Sequence, residues 1–345
     1  MTLRIGVVGT GNMGQEHIRR LAGVPGAEVV AVSDVNAEQA KRVAEAVGAR
    51  AYSESHDLIG SDEVQAVLIA SPGSTHEEFT LACIAADKPV FCEKPLAPTV
   101  DACLRVLEAE TAASRRLVQV GFMRRYDDGF RAMKDTLDGG RIGRALLLHC
   151  RHRNAVTPPG FTSDMMITDS VVHDIDVTRW LLGQEIVAAT VFKPRPSSKA
   201  PEGLQDPQLV VLETAEGVLV DVEIFVNCQF GYDIRYELVG ETGTVSLGEL
   251  AGVRVRQQGR HHGPIPADFR ERFGDAYQSE LQEWVRGALK GEVSGPSAWD
   301  GYATTAVAEG CVQALTEGRR TVVELADRPA LYASGSVLTD PSSGR

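Results

Sequence analysis

The residues "RIGVVGTGNMGQEHIRRL", 4–21, are the strongest indication of the fold of the first part of the chain. They include Gly9, Gly11 and Gly14 in the spacing GxGxxG, after an apolar run and at the start of a helix-like pattern. In this context the first glycine permits a tight turn, the second lets backbone approach a pyrophosphate, and the third allows close helix packing. The stretch therefore predicts a dinucleotide-binding βαβ unit, with a merely tight strand–helix turn as the alternative.

The residues around this loop indicate which dinucleotide is bound. Asn12 and Met13 lie at the predicted start of the helix, whose N-terminus attracts the negative charge of a phosphate. Asp34 ends the next predicted strand, where its carboxylate can accept hydrogen bonds from ribose hydroxyls and repel a 2′-phosphate. We therefore expect these residues to contact the cofactor, with NAD preferred over NADP.

The pattern of apolar residues divides the 345-residue chain into two domains. Residues 1–122 alternate continuous apolar runs with helix-like segments, which predicts an α/β Rossmann domain with a parallel sheet covered on both faces. Residues 123–338 contain consecutive strand-like runs joined by turn signals, and helices before and after them, which predicts an α+β domain with a mainly antiparallel sheet. Strands of this sheet are predicted at residues 144–153, 186–192, 208–214, 218–226, 233–239 and 244–247. Residues 339–345 are expected to form a loose tail.

Composition and charge narrow the classes of function. The net charge of −12 argues against binding to nucleic acid or to an anionic membrane, since both require basic surfaces. No apolar run approaches the length of about 18 residues that a membrane span needs. The six cysteines show neither a CxxC pair nor metal-type clustering, so we expect no metal site and a reduced, cytoplasmic setting.

Two polar residues follow the predicted strand that ends near residue 70. In an open α/β sheet the ligand lies at the carboxyl ends of the strands, so Ser71 and His76 of "IASPGSTHEEF" (69–79) are candidate cofactor contacts. The alternative for His76 is a polar residue in the first turn of a helix.

The stretch "FCEKPLAPTV" (91–100) places charged residues at the end of a buried strand. Successive strand residues point to opposite faces, so Glu93 and Lys94 have different roles, and Glu93 is expected among the cofactor contacts. Pro95 restricts the backbone of Lys94 to extended conformations and permits a cis peptide bond. A rigidly placed lysine could take or stabilise the hydroxyl proton during alcohol oxidation; the alternative is an exposed lysine at a strand end.

A second constellation lies in "MITDSVVHDIDVTRWLLG" (166–183). At about 100° per residue, Asp169, His173, Asp176 and Trp180 share one stripe of the predicted helix. An aspartate four residues before a histidine can orient the imidazole for proton transfer. A solvated polar face is the alternative, although Trp180 on the same stripe argues against it.

Taken together, three motifs resemble the Gfo/Idh/MocA family of sugar and polyol dehydrogenases: the glycine loop, Glu93-Lys94-Pro95 and the Asp169…His173 helix. Stretches such as "VGFMRRYD" (120–127) and "HRN" (152–154) are similar to the branch that oxidises inositols. The resemblance implies that Lys94, Asp169 and His173 form the catalytic set, and leaves open whether Lys94 or His173 accepts the proton.

The resemblance has further implications for the substrate and for assembly. It implies that the side chains matching polyol contacts are Arg124, Asn154, Asp176 and Tyr232. It implies NAD as cofactor and a homotetramer associating through an open sheet of the second domain. It implies myo-inositol as the substrate. Ala155 stands where inositol enzymes often have proline, so scyllo-inositol or a pyranose sugar is the alternative. A non-catalytic NAD sensor or scaffold is the remaining alternative.

Overall fold

The computed structural model describes residues 1–247, 255–257 and 260–333 and contains two compact units. The first comprises Met1–Gly121, Glu280–Tyr302 and residues 325–333, and the second comprises Phe122–Ser279 and Ala303–Glu324. The predicted domain of residues 123–338 therefore includes two segments that lie in the first unit. The predicted tail, residues 339–345, lies outside the described residues.

The first unit contains a six-stranded parallel sheet, which confirms the predicted α/β class. Its strands are β1 (Leu3–Val8), β2 (Ala27–Ser33), β3 (Arg50–Tyr52), β4 (Ala66–Ile69), β5 (Val90–Glu93) and β6 (Val118–Gly121). Their order in the sheet is β3-β2-β1-β4-β5-β6. The helices between them are α1 (Asn12–Leu21), α2 (Ala37–Val47), α3 (Ser55–Gly60), α4 (His76–Ala85) and α5 (Val100–Ala112). Gly73–Thr75 is a 3₁₀ turn before α4.

Local sequence explains most of these elements. Strands β4, β5 and β6 are buried at every residue, as continuous apolar runs in a two-sided parallel sheet require. Helix α2 begins at Asn36, whose side chain accepts a hydrogen bond from the Gln39 N–H, and ends at Gly48 in the left-handed conformation. The core includes Trp284, whose ring packs edge-on against Phe91 of β5 at a centroid distance of 5.7 Å. This packing holds the strand that leads to Lys94.

The second unit is built on a seven-stranded mixed sheet. Its strands are β7 (Ala145–Arg153), β8 (Ile186–Phe192), β9 (Gln208–Thr214), β10 (Leu219–Phe225), β11 (Asp233–Gly240), β12 (Thr244–Leu247) and, near the C-terminus, β15 (Thr321–Val322). The order is β12-β11-β7-β10-β9-β8-β15, and within it only the pair β7 and β10 is parallel. The mainly antiparallel sheet is thus confirmed, and the predicted strands match within one or two residues. The short strands β13 (Val255–Gln257) and β14 (Arg260–His262) form a separate hairpin.

The helices of the remaining chain include one that differs from prediction. They are α6 (Asp128–Asp138), α7 (Val172–Leu182), α8 (Phe269–Arg272), α9 (Gly274–Lys290) and α10 (Ala298–Glu317), with 3₁₀ turns at Met123–Tyr126 and Ala330–Tyr332. The helix predicted within residues 166–183, from about Asp169 to Leu182, begins earlier, because Met166–Val171 forms a π-helix that leads into α7. No helix among the described residues is long and apolar enough to cross a membrane.

Candidate active site

The three glycines of the loop after β1 have distinct structural roles. Gly9 has φ +93°, and a Cβ on it would lie 2.5 Å from the Ser71 backbone nitrogen. A Cβ on Gly14 would lie 2.0 Å from the Gly9 carbonyl oxygen, so α1 could not approach the loop with any larger residue. A Cβ on Gly11, in contrast, would meet nothing within 4 Å. Two glycines therefore serve packing, and Gly11 leaves open space beside the backbone.

That open space lies at the start of α1. Gly11 is the N-cap, and Asn12 and Met13 are the first helical residues. The first N–H groups of a helix lack partners within it, and their partial positive charge suits a phosphate. The first turn carries no acidic side chain that would compete with an anion. The loop thus fits the pyrophosphate of a dinucleotide.

Asp34 supports the same loop from the end of β2. Its Oδ2 accepts hydrogen bonds from the Thr10 backbone N–H at 2.6 Å and from the Thr10 hydroxyl at 3.0 Å. Its Oδ1 accepts from the Asn36 N–H at 2.8 Å. The carboxylate is half-buried and each oxygen can accept more than one bond. It can therefore receive a ribose hydroxyl while it holds the loop, and its charge disfavours a 2′-phosphate.

Ser71 and His76 lie together at the end of β4, but the imidazole is not open to a ligand. The Ser71 hydroxyl is bonded to the Thr75 hydroxyl at 2.8 Å. His76 is the first residue of α4 and is 1 % exposed. Its Nδ1 lies 2.7 Å from the Pro95 carbonyl and its Nε2 lies 2.9 Å from the Ser71 carbonyl. Both ring nitrogens thus bind protein groups, which differs from the predicted contact with the cofactor.

Glu93 and Lys94 follow one another at the end of β5 and have different surroundings. Glu93 is 7 % exposed, and its Oε1 lies 2.6 Å from Nε2 of His17 on α1. Burial favours the neutral acid, but the bond to His17 and the charge of Lys94 outweigh it and lower the Glu93 pKa. Its carboxylate therefore faces α1, which differs from the predicted cofactor contact. Lys94 is half-buried, and the peptide bond between Lys94 and Pro95 is cis.

The segment that carries Asp169 and His173 is not one regular α-helix. A π-helix has wider turns than the 3.6 residues of an α-helix, so the assumed rotation of 100° per residue is wrong for Met166–Val171. Asp169 is exposed within this π-helix. His173 is half-buried on α7, with its ring edge-on to Phe122 at a centroid distance of 6.3 Å. Local π-helical turns are frequent at functional sites.

Arg124 lies in the 3₁₀ turn before α6 and is almost completely buried. Its Nη1 donates to the Asp174 carboxylate at 2.6 Å and to the Tyr236 hydroxyl at 2.8 Å. Its Nη2 lies 3.1 Å from Nδ1 of His152, which in turn lies 2.6 Å from the other Asp174 oxygen. Asp174, on α7, thus bonds Arg124, His152 and the Tyr236 hydroxyl, which also donates to it. The predicted polyol contact of Arg124 stays a prediction.

The other predicted polyol contacts, Asp176, Tyr232 and Asn154, also lie in the second unit. The Asp176 carboxylate binds the Arg125 guanidinium through two hydrogen bonds, at 2.9 and 2.5 Å. Tyr232 is 6 % exposed, and its ring is edge-on to His152 at a centroid distance of 6.1 Å. Asn154 follows β7, and its side-chain Oδ1 is buried without a hydrogen-bond partner among the described residues. An unpartnered acceptor of this kind is suited to a hydroxyl donor.

Sequence reasoning missed several buried residues, each of which bonds a candidate residue of its own unit. His17, His152 and Asp174 are each buried and each bonds a partner on another element. The signal for His152 is the alternation along β7, where residues 148, 150 and 152 are buried and their neighbours are not. His17 and Asp174 lacked such a signal, because their partners are distant in sequence. Among the described residues, no group of three or more His, Cys, Asp or Glu side chains could hold a metal ion.

The parallel sheet, the glycine loop and Asp34 together define an NAD-binding oxidoreductase of the Rossmann type. Residues 3–122 match the profile of an oxidoreductase family with an NAD-binding Rossmann fold, and residues 134–325 match that family's C-terminal alpha/beta domain. The chain therefore belongs to the Gfo/Idh/MocA oxidoreductase family.

Individual relatives are similar along nearly the whole chain. Inositol 2-dehydrogenase 2 of Saccharopolyspora erythraea is 55 % identical over 335 residues, which cover 96 % of this chain and 99 % of that one. Inositol 2-dehydrogenase of Azotobacter vinelandii is 51 % identical, with 96 % and 99 % covered. The crystal structure of myo-inositol dehydrogenase from Lactobacillus casei in complex with NAD(H) and myo-inositol superimposes with a TM-score of 0.94 at 36 % identity, covering 96 % of this chain and 100 % of that one.

Proposed function

We propose that this protein is an NAD-dependent dehydrogenase that oxidises one ring secondary alcohol of myo-inositol to the 2-keto form, scyllo-inosose. The observation that carries the proposal is the high identity to named inositol 2-dehydrogenases along nearly the whole chain. The residues expected for alcohol oxidation, Lys94, Asp169 and His173, are all present.

The first unit supplies the cofactor contacts of this reaction. NAD, when bound, accepts a hydride from the carbinol carbon. Gly11 and the first N–H groups of α1 hold the pyrophosphate, and Asp34 accepts from the ribose hydroxyls. Ser71, at the carboxyl end of β4, lies at the edge of the sheet where such ligands bind. NADP is the less favoured cofactor because its 2′-phosphate would meet the Asp34 carboxylate.

The catalytic roles are divided between three side chains. Lys94 bonds the reacting hydroxyl and stabilises the negative charge that develops on its oxygen. His173 takes or relays the hydroxyl proton, and Asp169 orients His173 and the substrate. The half-buried position of His173 and the exposed carboxylate of Asp169 support these roles.

Four side chains of the second unit complete the proposal. Asn154 offers its unpartnered Oδ1 to a substrate hydroxyl. Arg124, Asp176 and Tyr232 are proposed to contact the polyol as well, and the bonds that Arg124 and Asp176 make to Asp174 and Arg125 fix their orientation. A cyclic polyol presents a hydroxyl on each ring carbon, so several fixed donors and acceptors favour it over a simple alcohol.

A substrate panel tests the proposed function. Purified protein is incubated with NAD or NADP and with myo-inositol, scyllo-inositol or glucose, and the absorbance of the reduced cofactor is followed. We expect the highest kcat/KM with NAD and myo-inositol. A higher kcat/KM with another polyol would reassign the substrate, and NADH binding without turnover of any polyol would indicate the NAD-sensing alternative.

We propose further that the chain forms a homotetramer through the sheet of the second unit. Alternate residues of β7, β9 and β10 are buried, and the residues between them are half-buried or exposed. The half-buried and exposed residues form one face of the sheet. This face carries ion pairs such as Arg153–Glu223, at 2.7 Å, beside large apolar side chains. The exposed apolar residues on these strands and on β8 include Leu147, Phe192 and Leu219. Light scattering of the purified protein checks the assembly, and a monomer would contradict it.

The cytoplasm is the proposed location. All six cysteines are buried and free, as expected for a protein that folds in a reducing compartment. Fractionation of cells that express the full chain checks this proposal.

A further inference from the structure

Two buried histidines contact the residues on either side of Lys94. Nε2 of His17, on α1, lies 2.6 Å from the Glu93 carboxylate, and Nδ1 of His76, on α4, lies 2.7 Å from the Pro95 carbonyl. The two imidazoles therefore reach the same turn from two different helices of the first unit.

The contact between His17 and Glu93 extends through the Glu93 carboxylate to the backbone of Lys94. The Glu93 Oε1 binds the imidazole, and the Glu93 Oε2 accepts a hydrogen bond from the Lys94 N–H at 3.1 Å. His17 is completely buried and Glu93 is nearly so, so water competes little for these bonds. A carboxylate that bridges an imidazole and an amide is held by charge-assisted bonds, which are stronger than neutral ones. The helix that begins at the glycine loop is thus tied to the lysine.

The imidazole of His76 also contacts the backbone that follows β4. The second ring nitrogen, Nε2, lies 2.9 Å from the Ser71 carbonyl. A carbonyl oxygen only accepts hydrogen bonds, so two such bonds require a proton on each ring nitrogen. His76 is therefore an imidazolium that links the Pro95 carbonyl to the Ser71 carbonyl.

We propose that His17 and His76 are positioning residues that hold Lys94 in place for the reaction. The inference rests on the proposed role of Lys94 in alcohol oxidation. A lysine has a long, flexible side chain that loses conformational entropy when it is positioned for reaction. A fixed backbone at Lys94 reduces the number of positions that its amine can occupy. Displacing a catalytic group by about 1 Å can cost roughly 100-fold in rate.

Chemical labelling of Lys94 tests the positioning without any substrate. The wild type, His17→Leu and His76→Leu are treated with a trace of acetic anhydride, and peptide mass spectrometry gives the acetylation of Lys94 relative to that of the exposed Lys41. We expect the relative acetylation of Lys94 to change severalfold in both variants. Unchanged acetylation in folded variants would overturn the proposal.

His56 provides a matched control within the same unit. Its Nε2 lies 2.7 Å from the Glu78 carboxylate, but both side chains are more than half exposed. His56→Leu removes an imidazole–carboxylate pair of similar distance that includes neither Glu93 nor Pro95. We expect it to leave the acetylation of Lys94 unchanged, and a change as large as that in His17→Leu would contradict a specific role for His17.

Conservative variants separate positioning from general stability. Glu93→Gln keeps an acceptor for the Lys94 N–H and a donor for a neutral His17, whereas Glu93→Met keeps neither. His17→Gln likewise keeps a donor near the position of Nε2. We expect Glu93→Gln and His17→Gln to retain most of the wild-type kcat, and Glu93→Met and His17→Leu to lose roughly 10- to 100-fold while the Kd for NADH stays within a few-fold. Equal kcat in Glu93→Gln and Glu93→Met would overturn the proposal.

The outcomes distinguish this inference from the proposed function. If the wild type oxidises no inositol, the proposed function fails, and the labelling result still decides whether the two histidines position Lys94. If the wild type is active and the folded variants match it in both labelling and kcat, the positioning role alone is wrong.

Discussion

The Arg124 guanidinium lies 2.6 Å from the Asp174 carboxylate, and neither side chain is more than 1 % exposed. Burial favours the neutral acid, but Arg124, His152 and Tyr236 outweigh it and hold the Asp174 pKa well below its usual range. Arg124→Met would leave this buried carboxylate without its guanidinium partner, with only His152 and the Tyr236 hydroxyl bonded to it. We expect the free energy of unfolding to fall by about 3–5 kcal/mol, which urea denaturation measures.

The exposed pair Arg144–Glu241 is the control for this prediction. Its nitrogen–oxygen distance is 2.7 Å, but the Arg144 side chain is 87 % exposed, and surface pairs contribute little to stability. We expect Arg144→Met to unfold at nearly the wild-type urea concentration. Similar losses in the two variants would show that burial does not govern the contribution of Arg124.

Replacement by alanine is expected to have different effects at Gly11 and at Gly14. Gly14→Ala places a Cβ 2.0 Å from a backbone oxygen, and such overpacking costs about 1–3 kcal/mol of stability. Gly11→Ala meets no neighbour within 4 Å, so we expect normal stability but weakened NADH binding, because the methyl group occupies the space beside the pyrophosphate. Thermal unfolding and NADH fluorescence titration separate the two effects. Normal NADH affinity in Gly11→Ala would exclude this space as the pyrophosphate site.

Asp34 is predicted to govern the choice between NAD and NADP. Asp34→Ser removes the negative charge, so we expect the ratio of NADPH to NADH affinity to rise by about tenfold or more, or ~1.4 kcal/mol. Because the carboxylate also holds Thr10, the absolute affinity for NADH should fall. Titration with both reduced cofactors measures the ratio, and an unchanged ratio would show that Asp34 does not face the ribose.

Lys94→Ala should abolish turnover while the Kd for NADH stays nearly unchanged. The reason is that the proposed role of Lys94 concerns the reacting hydroxyl, whereas the glycine loop and Asp34 hold the cofactor. Steady-state kinetics with myo-inositol and an NADH titration measure the two quantities. Lys41→Ala, at an exposed lysine of α2, is the control and should retain full activity. Substantial activity in Lys94→Ala would remove Lys94 from the catalytic set.

His76 makes a pH-dependent contribution to stability. Burial opposes its protonation, but Cys92 and the carbonyls of Pro95 and Ser71 outweigh burial and raise the His76 pKa to about 9, from an ordinary value of 6.5. A raised pKa means that the folded state binds the proton more tightly. The stabilisation is therefore fully present below pH 6.5 and is lost as the pH rises through about 9.

Urea denaturation of the wild type and His76→Gln from pH 6 to pH 9.5 measures this contribution. We expect the difference in unfolding free energy between them to be largest at pH 6 and to shrink as the pH rises. A difference that is constant across this range would mean that His76 is not protonated in the folded protein.

The fold could be predicted from sequence wherever an element has a recognisable local sequence pattern. The glycine spacing after β1 and the continuous apolar runs of β4 and β5 predicted the Rossmann sheet, and turn signals separated β9 from β10 and β11 from β12. The third strand and its helix, Arg50–Tyr52 and Ser55–Gly60, were missed because each is too short to show a periodic pattern. The parallel pairing of β7 with β10 was missed because pairing between distant strands leaves no local signal.

The sequence indicated which residues to consider for the candidate site, but not which residues they bond. Motifs predicted Lys94, Asp169 and His173 as site residues, and this assignment stays a prediction; their surroundings depend on bonds between residues far apart in sequence. His17 and Glu93 are separated by 76 positions, and Arg124 and Asp174 by 50. Such pairs form only when the sheets bring their elements together. The same reason explains why His76 was assigned to the cofactor although both of its nitrogens bind backbone carbonyls.

The π-helix at Met166–Val171 makes the position of Asp169 sensitive to insertions and deletions. An i→i+5 hydrogen-bond pattern accommodates about one more residue per turn than the α-helical pattern. Deleting Ser170 or Val171, which lie between Asp169 and α7, would therefore let the segment become α-helical and continue smoothly into α7. His173 would keep its place, whereas Asp169 would rotate by roughly 100° around the helix axis. Deletion of a single residue could thus change the orientation of Asp169 relative to His173 while leaving the fold intact.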